Sequence, residues 1–168
     1  IYTFAELQEL VDRKSEQIKK QGIKTLVLTA DKNIEFITQF LSGLKSGIPI
    51  VLFSSDHSLD LRSKYEAMIV EPVFHPETAL ILFTSGSSGK PKAVQLSLSN
   101  IKSNTNAVIE TLDFKTAAEQ FLFLPLSYSF GILGQLLPAL ATGVSTHIAN
   151  SLIDLKTVFD ERSATGML

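Results

Sequence analysis

The residues best equipped for chemistry lie in one run, Thr84-Ser85-Gly86-Ser87-Ser88-Gly89-Lys90-Pro91-Lys92. Thr84, Ser85, Ser87 and Ser88 offer hydroxyl donors, and Lys90 and Lys92 offer positive charge. Gly86 and Gly89 tolerate positive φ, so backbone N–H groups can crowd toward an anion. Pro91 stiffens the exit and pushes Lys90 toward an extended conformation. A loop that combines N–H, O–H and ammonium donors can seat a polyphosphate. The spacing is not that of a Walker A motif, because two residues rather than four separate the glycines and proline follows the first lysine. Composition alone also admits a solvated Gly/Ser hairpin loop. The apolar strand before the loop, the lysines after it and the order of hydroxyls favour the anion.

Other chemistries find little support. There is no cysteine, which excludes disulfides, thiolate metal ligands and thiol catalysis. The three histidines, His57, His75 and His147, are spaced unlike a zinc site. Carboxylates such as Glu35 and Asp56 show no paired arrangement for acid–base work. With 15 basic against 17 acidic residues the net charge is −2, and no basic stripe interleaved with aromatics marks a nucleic-acid binder. The most apolar region, residues 120 to 144, is broken by Gln, Pro, Ser, Tyr and Gly, so no membrane span is expected. No signal peptide is visible, and a cytoplasmic protein is expected.

Several elements must position the loop. Thr3 and Glu6 form a capping-box pattern before a helix with Phe4, Leu7, Leu10, Val11 and Ile18 on one face, stopped at Gly22. Residues 25–29 predict a buried strand. Asn33 caps a second helix carrying Phe36, Ile37, Phe40, Leu41 and Leu44, which ends at Gly47. Residues 48–53 predict a strand with Pro49 at its start, and residues 59–68 a short helix. Residues 79–83 form the buried strand that leads into the loop, and residues 94–96 resume an extended pattern. Ser97 or Ser99 caps a helix bearing Ile101, Thr105, Val108, Ile109 and Leu112. A strand at 121–124, an apolar helix with Ile132, Leu133, Leu136, Leu137 and Leu140 ending at Gly143, and a strand at 144–149 follow. Leu152, Leu155, Val158 and Phe159 mark a last helix, and residues 165–168 open a further strand. The alternation predicts an α/β fold, a mostly parallel sheet with helices on both faces, in which ligands gather at the carboxyl ends of strands. Thr84 stands at such an end.

The string Thr84 to Lys92 resembles the phosphate-loop signature of the adenylate-forming superfamily, T-S-G-S/T-T/S-G-x-P-K-G-V, and matches it throughout except at Ala93, where glycine is usual. That superfamily contains acyl- and aryl-CoA synthetases, luciferases and the adenylation domains of peptide synthetases. Three further stretches are similar to its N-terminal half: residues 2–7 to the opening T-Y-x-E-L helix, residues 33–47 to the N-x-x-E-F helix, and residues 125–131 to the P-x-x-H-x-x-G turn beside the acyl pocket. Leu98 and Tyr128 replace histidines of the family pattern. A tyrosine keeps an aromatic gate and a hydroxyl but does not shuttle protons near neutral pH. The stretch 54–78 is short compared with most relatives.

The resemblance implies the N-terminal part of the adenylate-forming fold, with residues 1–168 as a truncated portion that is inactive alone. It implies activation of a carboxylic acid by Mg·ATP to an acyl-adenylate, then transfer to coenzyme A or a carrier-protein thiol. Thr84, Ser85, Gly86, Ser87, Ser88, Gly89 and Lys92 would hold the ATP phosphates, with Lys92 either contacting phosphate or bracing the loop. Tyr128, Phe130 and Gly131 would line the carboxylate pocket, although Phe130 has the alternative of being plain core. No catalytic residue or protein metal ligand is assigned, and the remainder of its own chain is an implied partner. A non-catalytic nucleotide-binding or interaction module on the same fold is the alternative, to which Ala93, Leu98 and Tyr128 lend some weight.

Overall fold

The computed structural model describes residues 1–67, 69, 74–84, 92–117 and 119–149. The predicted last helix and strand, at 152–168, lie outside them. Two units are distinguished, the first ending at Leu98 and the second beginning at Ser99.

In the first unit, local hydrogen bonding sets the helix ends. Helix α1 (Phe4–Lys20) starts at Thr3, whose hydroxyl accepts from Glu6 N while the Glu6 carboxylate accepts from Thr3 N at 2.7 Å. Such a cap contributes about 1 kcal/mol. After strand β1 (Leu26–Thr29), helix α2 (Ile34–Ser46) starts where Asn33 Oδ1 accepts from Phe36 N at 2.8 Å, and it stops at Gly47, whose φ of 68° suits glycine. The two helices meet through small residues. Ser15 Oγ donates to Val11 O at 2.7 Å, and Ser42 Oγ donates to Thr38 O at 2.6 Å and to Val11 O at 3.1 Å across the interface. The hydroxyls satisfy one another's surroundings while the helices approach closely. An ion pair between Lys45 and Asp12 joins their exposed rims.

Strand β2 (Ile50–Phe53), fully buried, lies between β1 and strand β3 (Thr78–Thr84), parallel to both. Helix α3 (Leu59–Ala67) crosses between them. Strand β4 (Lys92–Ser97) pairs antiparallel with β3, giving the order β1-β2-β3-β4. Side chains alternate across each strand. Leu26 and Ile50 therefore face α2, where Gly43 admits them, and Val51, Phe53 and Ile81 face α3 through Tyr65. Both faces of the sheet carry helices, as expected. β1 departs from its predicted burial: as an outer strand of this sheet it leaves Val27 49% exposed.

In the second unit, helix α4 (Leu98–Thr111) buries Ile101, Thr105 and Ile109. Ser99 lies inside it and is not its cap, and Leu112 falls beyond its end, 40% exposed. Strands β5 (Glu119–Leu122) and β6 (Ser145–Ile148) pair in parallel. Their crossover is not the single α-helix that the apolar spacing predicts. It is a π-helix (Phe130–Leu136) running into α5 (Leu137–Thr142), which Gly143 ends at φ 74°. Gly131 and Gly134 weaken the α-helical preference of that turn, and polar ties to β5, described below, hold its wider winding.

Candidate functional site

The described ends of the Ser/Gly loop form the base of a hairpin. Leu82 pairs with Val94, Phe83 with Ala93 and Thr84 with Lys92. Opposed residues share a face, so the Thr84 and Lys92 side chains stand together on one side, at the carboxyl end of β3. Both are exposed, and no carboxylate among the described residues pairs with the Lys92 ammonium. Ser85, Gly86, Ser87, Ser88 and Gly89 lie outside the described residues, as do Lys90 and Pro91. The hairpin alternative raised by composition thus describes the strands on either side, and it is compatible with a donor set: a hydroxyl and an ammonium face the same way at the loop mouth. Antiparallel pairing follows from the seven-residue connection between Thr84 and Lys92, too short for a parallel crossover.

Beneath this base lies an aromatic cluster that the periodicity of the chain does not announce. Phe83 stacks on Tyr65 of α3 with ring centroids 4.2 Å apart, and on Phe53 of β2 at 5.2 Å. His57 meets the Tyr65 ring at 5.0 Å, and the Arg62 guanidinium lies 5.1 Å from the Phe53 centroid. Ala93 packs against the same cluster, so the methyl that departs from the signature glycine has an apolar setting. Burial holds the His57 imidazole below its ordinary value of 6.5, with Arg62 adding to that effect and Asp56 opposing it. The unfolded chain therefore binds the proton more readily, and folding stability is lost as pH falls from 6.5 through the folded value. Melting temperature is expected to decline over that window, and His57→Gln is expected to flatten the decline. Glu6, lowered chiefly by the Thr3 backbone, and Asp12, lowered chiefly by Lys45, act in a more acidic window, so among these shifted groups of the described residues melts above about pH 5 report on His57.

The aromatic turn lies in the second unit. Tyr128 N donates to Pro125 O at 3.2 Å, and Tyr128 and Phe130 are 65% and 54% exposed. Phe130 is therefore not core; its ring lies over Gly134, where a Cβ would come within 2.9 Å of Phe130 Cδ2. Gly131 is buried against the turn, and a Cβ there would sit 2.2 Å from Pro125 O. These three residues are brought together in one tight element.

Two glutamines anchor that element. Gln135 Nε2 donates to Phe121 O at 3.3 Å, and Gln135 Oε1 accepts from Leu124 N at 3.3 Å. Gln120 Nε2 donates to Gln135 O at 3.1 Å and to Thr146 Oγ1 at 3.2 Å. The π-helix is thus tied to β5, to β6 and to the strand exit that leads into Pro125. Their available sequence signal was a polar residue inside each of two apolar runs. A groove of about 370 Å³ between α1 and α2, lined in part by Tyr2, Arg13, Lys14 and Glu35, contains none of the candidate residues.

Comparison with known proteins places this geometry in a family. The model of the AMP-binding enzyme family matches residues 57–167. An acyl-CoA synthetase of Gibberella moniliformis is 34% identical over 104 residues, 62% of this chain and 16% of that protein. A D-alanine–D-alanyl carrier protein ligase of Streptococcus pneumoniae is 36% identical over 94 residues, 54% of this chain and 18% of that protein. The chain therefore spans less than a fifth of the length of these curated relatives. Among solved structures, the O-succinylbenzoate coenzyme A synthetase of Bacillus subtilis, in complex with ATP and magnesium ion, superposes with a TM-score of 0.77 at 19% identity, covering 98% of this chain and 56% of that one. That likeness shows the fold: an α/β sheet arranged as in the N-terminal domain of such enzymes.

Proposed function

The chain belongs to the adenylate-forming family of AMP-binding enzymes, and on that premise we propose that it is part of a ligase that activates a carboxylic acid with ATP. Residues 1–168 are proposed to be an N-terminal portion of that ligase domain, and the activity is that of the whole enzyme. The observation that carries the reading is the pairing of Thr84 with Lys92 across the mouth of the Ser/Gly loop, at the carboxyl end of a strand that runs parallel to β2 on one side and antiparallel to β4 on the other. A hydroxyl beside an ammonium with no carboxylate partner among the described residues suits a polyphosphate.

In this reading the carboxylate attacks the α-phosphorus of ATP, giving an acyl-adenylate and pyrophosphate. Backbone N–H groups of Ser85 to Gly89 and the Thr84 and Ser87 hydroxyls, with Ser85 and Ser88 beside them, hold the β- and γ-phosphates. Lys92 neutralises charge on the leaving pyrophosphate. The chain's contribution is orientation and charge stabilisation rather than a covalent intermediate on protein. Tyr128, Phe130 and Gly131 border the carboxylate pocket. Magnesium accompanies the nucleotide in this reading. The acyl group then passes to a thiol, coenzyme A or a carrier protein. Relatives matched include a ligase named for each acceptor type. No described helix is long and apolar enough to cross a membrane.

Pyrophosphate–ATP exchange by the full-length gene product tests the reading, run against a panel of aliphatic, aryl and amino-acid carboxylates. Exchange that depends on one class of carboxylate is the expected result. Binding of Mg·ATP without exchange for any carboxylate would instead fit a non-catalytic nucleotide-binding module.

A further inference from the structure

We propose that Tyr65 is a positioning residue for the nucleotide-binding hairpin, acting through Phe83 and Ala93 on the placement of Thr84 and Lys92. The inference rests on the nucleotide reading above. Phe83 and Ala93 are paired across the strands immediately inside the Thr84–Lys92 pair. Alternation directs them to the opposite face, into the α3 cluster. The pleat at the loop mouth is therefore set from below by whatever holds Phe83 and Ala93. Tyr65 is that support: it is 3% exposed and its ring lies nearly parallel to Phe83, 18° apart with centroids at 4.2 Å. Phe53 completes the stack at the end of β2, with its ring 18° from that of Phe83. Arg62, held by Glu66 at 3.1 Å, covers Phe53 from the preceding turn of α3.

A rigid aromatic stack under the base of a loop fixes donor positions without touching the ligand. A shift at Phe83 or Ala93 is passed along one peptide to Thr84 or Lys92. The ring matters here rather than the phenol oxygen, so the conservative change keeps the effect and the aliphatic change loses it.

The test measures binding of Mg·ATP, and of inorganic pyrophosphate as a phosphate-only probe, to the full-length gene product. Tyr65→Leu is expected to weaken both about fivefold, as loss of a stacked aromatic pair predicts, and Tyr65→Phe to match the parent. Hydrogen exchange at the Phe83–Ala93 and Thr84–Lys92 base should rise in Tyr65→Leu, while the far end of the hairpin at Thr78 and Ser97 stays protected. Ala93→Gly removes one methyl from the same cluster and carries the test should Tyr65→Leu fail to fold; it is expected to raise exchange at the same base and to weaken binding about twofold. Unchanged binding in Tyr65→Leu or, where that variant does not fold, in Ala93→Gly overturns the proposal, as does faster exchange spread evenly along β3 and β4. If the parent protein binds neither probe, the nucleotide reading itself fails and this inference with it. Parent binding with unaffected variants sinks the positioning role alone.

Discussion

Replacing Lys92 with alanine is expected to lower carboxylate-dependent pyrophosphate–ATP exchange about 100-fold, the usual cost of removing one pre-placed donor from a developing anion. Lys92 is exposed and opposite Thr84, so its ammonium extends from the loop mouth without supporting any packed group. The change should leave the melting temperature within about 2 °C of the parent, as surface substitutions do. That pairing of outcomes separates the two roles open to this lysine. A phosphate contact loses activity and keeps stability. A brace for the loop would lose stability as well, and a melt lowered in proportion to the activity would assign that role instead. Lys92→Arg keeps the charge but changes its shape, and an intermediate loss is expected.

Gly131→Ala is expected to destabilise the protein by about 3 kcal/mol, at the upper end of what overpacking costs. The added methyl would sit 2.2 Å from Pro125 O and 2.9 Å from Pro125 C, with Leu124 O at 3.3 Å. All three neighbours are backbone, and the turn cannot yield by rotating a side chain. A fall in melting temperature of about 8 °C follows for a chain of this size, with the urea midpoint moving in parallel. Gly22→Ala supplies the comparison: its φ of 64° strains the new residue, but nothing lies within 4 Å. It should cost only about 1 kcal/mol. Equal losses in the two variants would remove the steric account of Gly131. The turn matters because Tyr128 and Phe130 project from it, and they can line a pocket only if Gly131 lets the π-helix close against Pro125.

The parts of this protein legible from sequence are those governed by near neighbours. Thr3 with Glu6, and Asn33 with Phe36, form hydrogen bonds three residues apart, so residue type and spacing state the cap before any fold exists. Gly47 stops α2 for a reason internal to its own backbone. The loop string is a pattern of the same local kind, and its role as an anion seat is the proposal made above.

What the sequence left open depended on residues far apart. The apolar run of β1 promised burial, yet its exposed Val27 follows from having β2 as a neighbour on one side of the described sheet. The extended stretch after the loop did not declare its direction; pairing with β3 made it antiparallel and so set Lys92 opposite Thr84. The 3.6-residue pattern at Ile132 to Leu140 described apolarity but not winding, because Gln135 reaches 14 residues back to Phe121. Gln120 similarly finds Thr146 at a separation of 26 residues, and Tyr65 meets Phe83 through the docking of α3. Local chemistry determined the caps of α1 and α2 and the glycine stops of α2 and α5. Only tertiary packing decided which face each strand buried, how buried polar groups were satisfied and what packs against Phe83 and Ala93, because each of those energies requires two distant segments to meet.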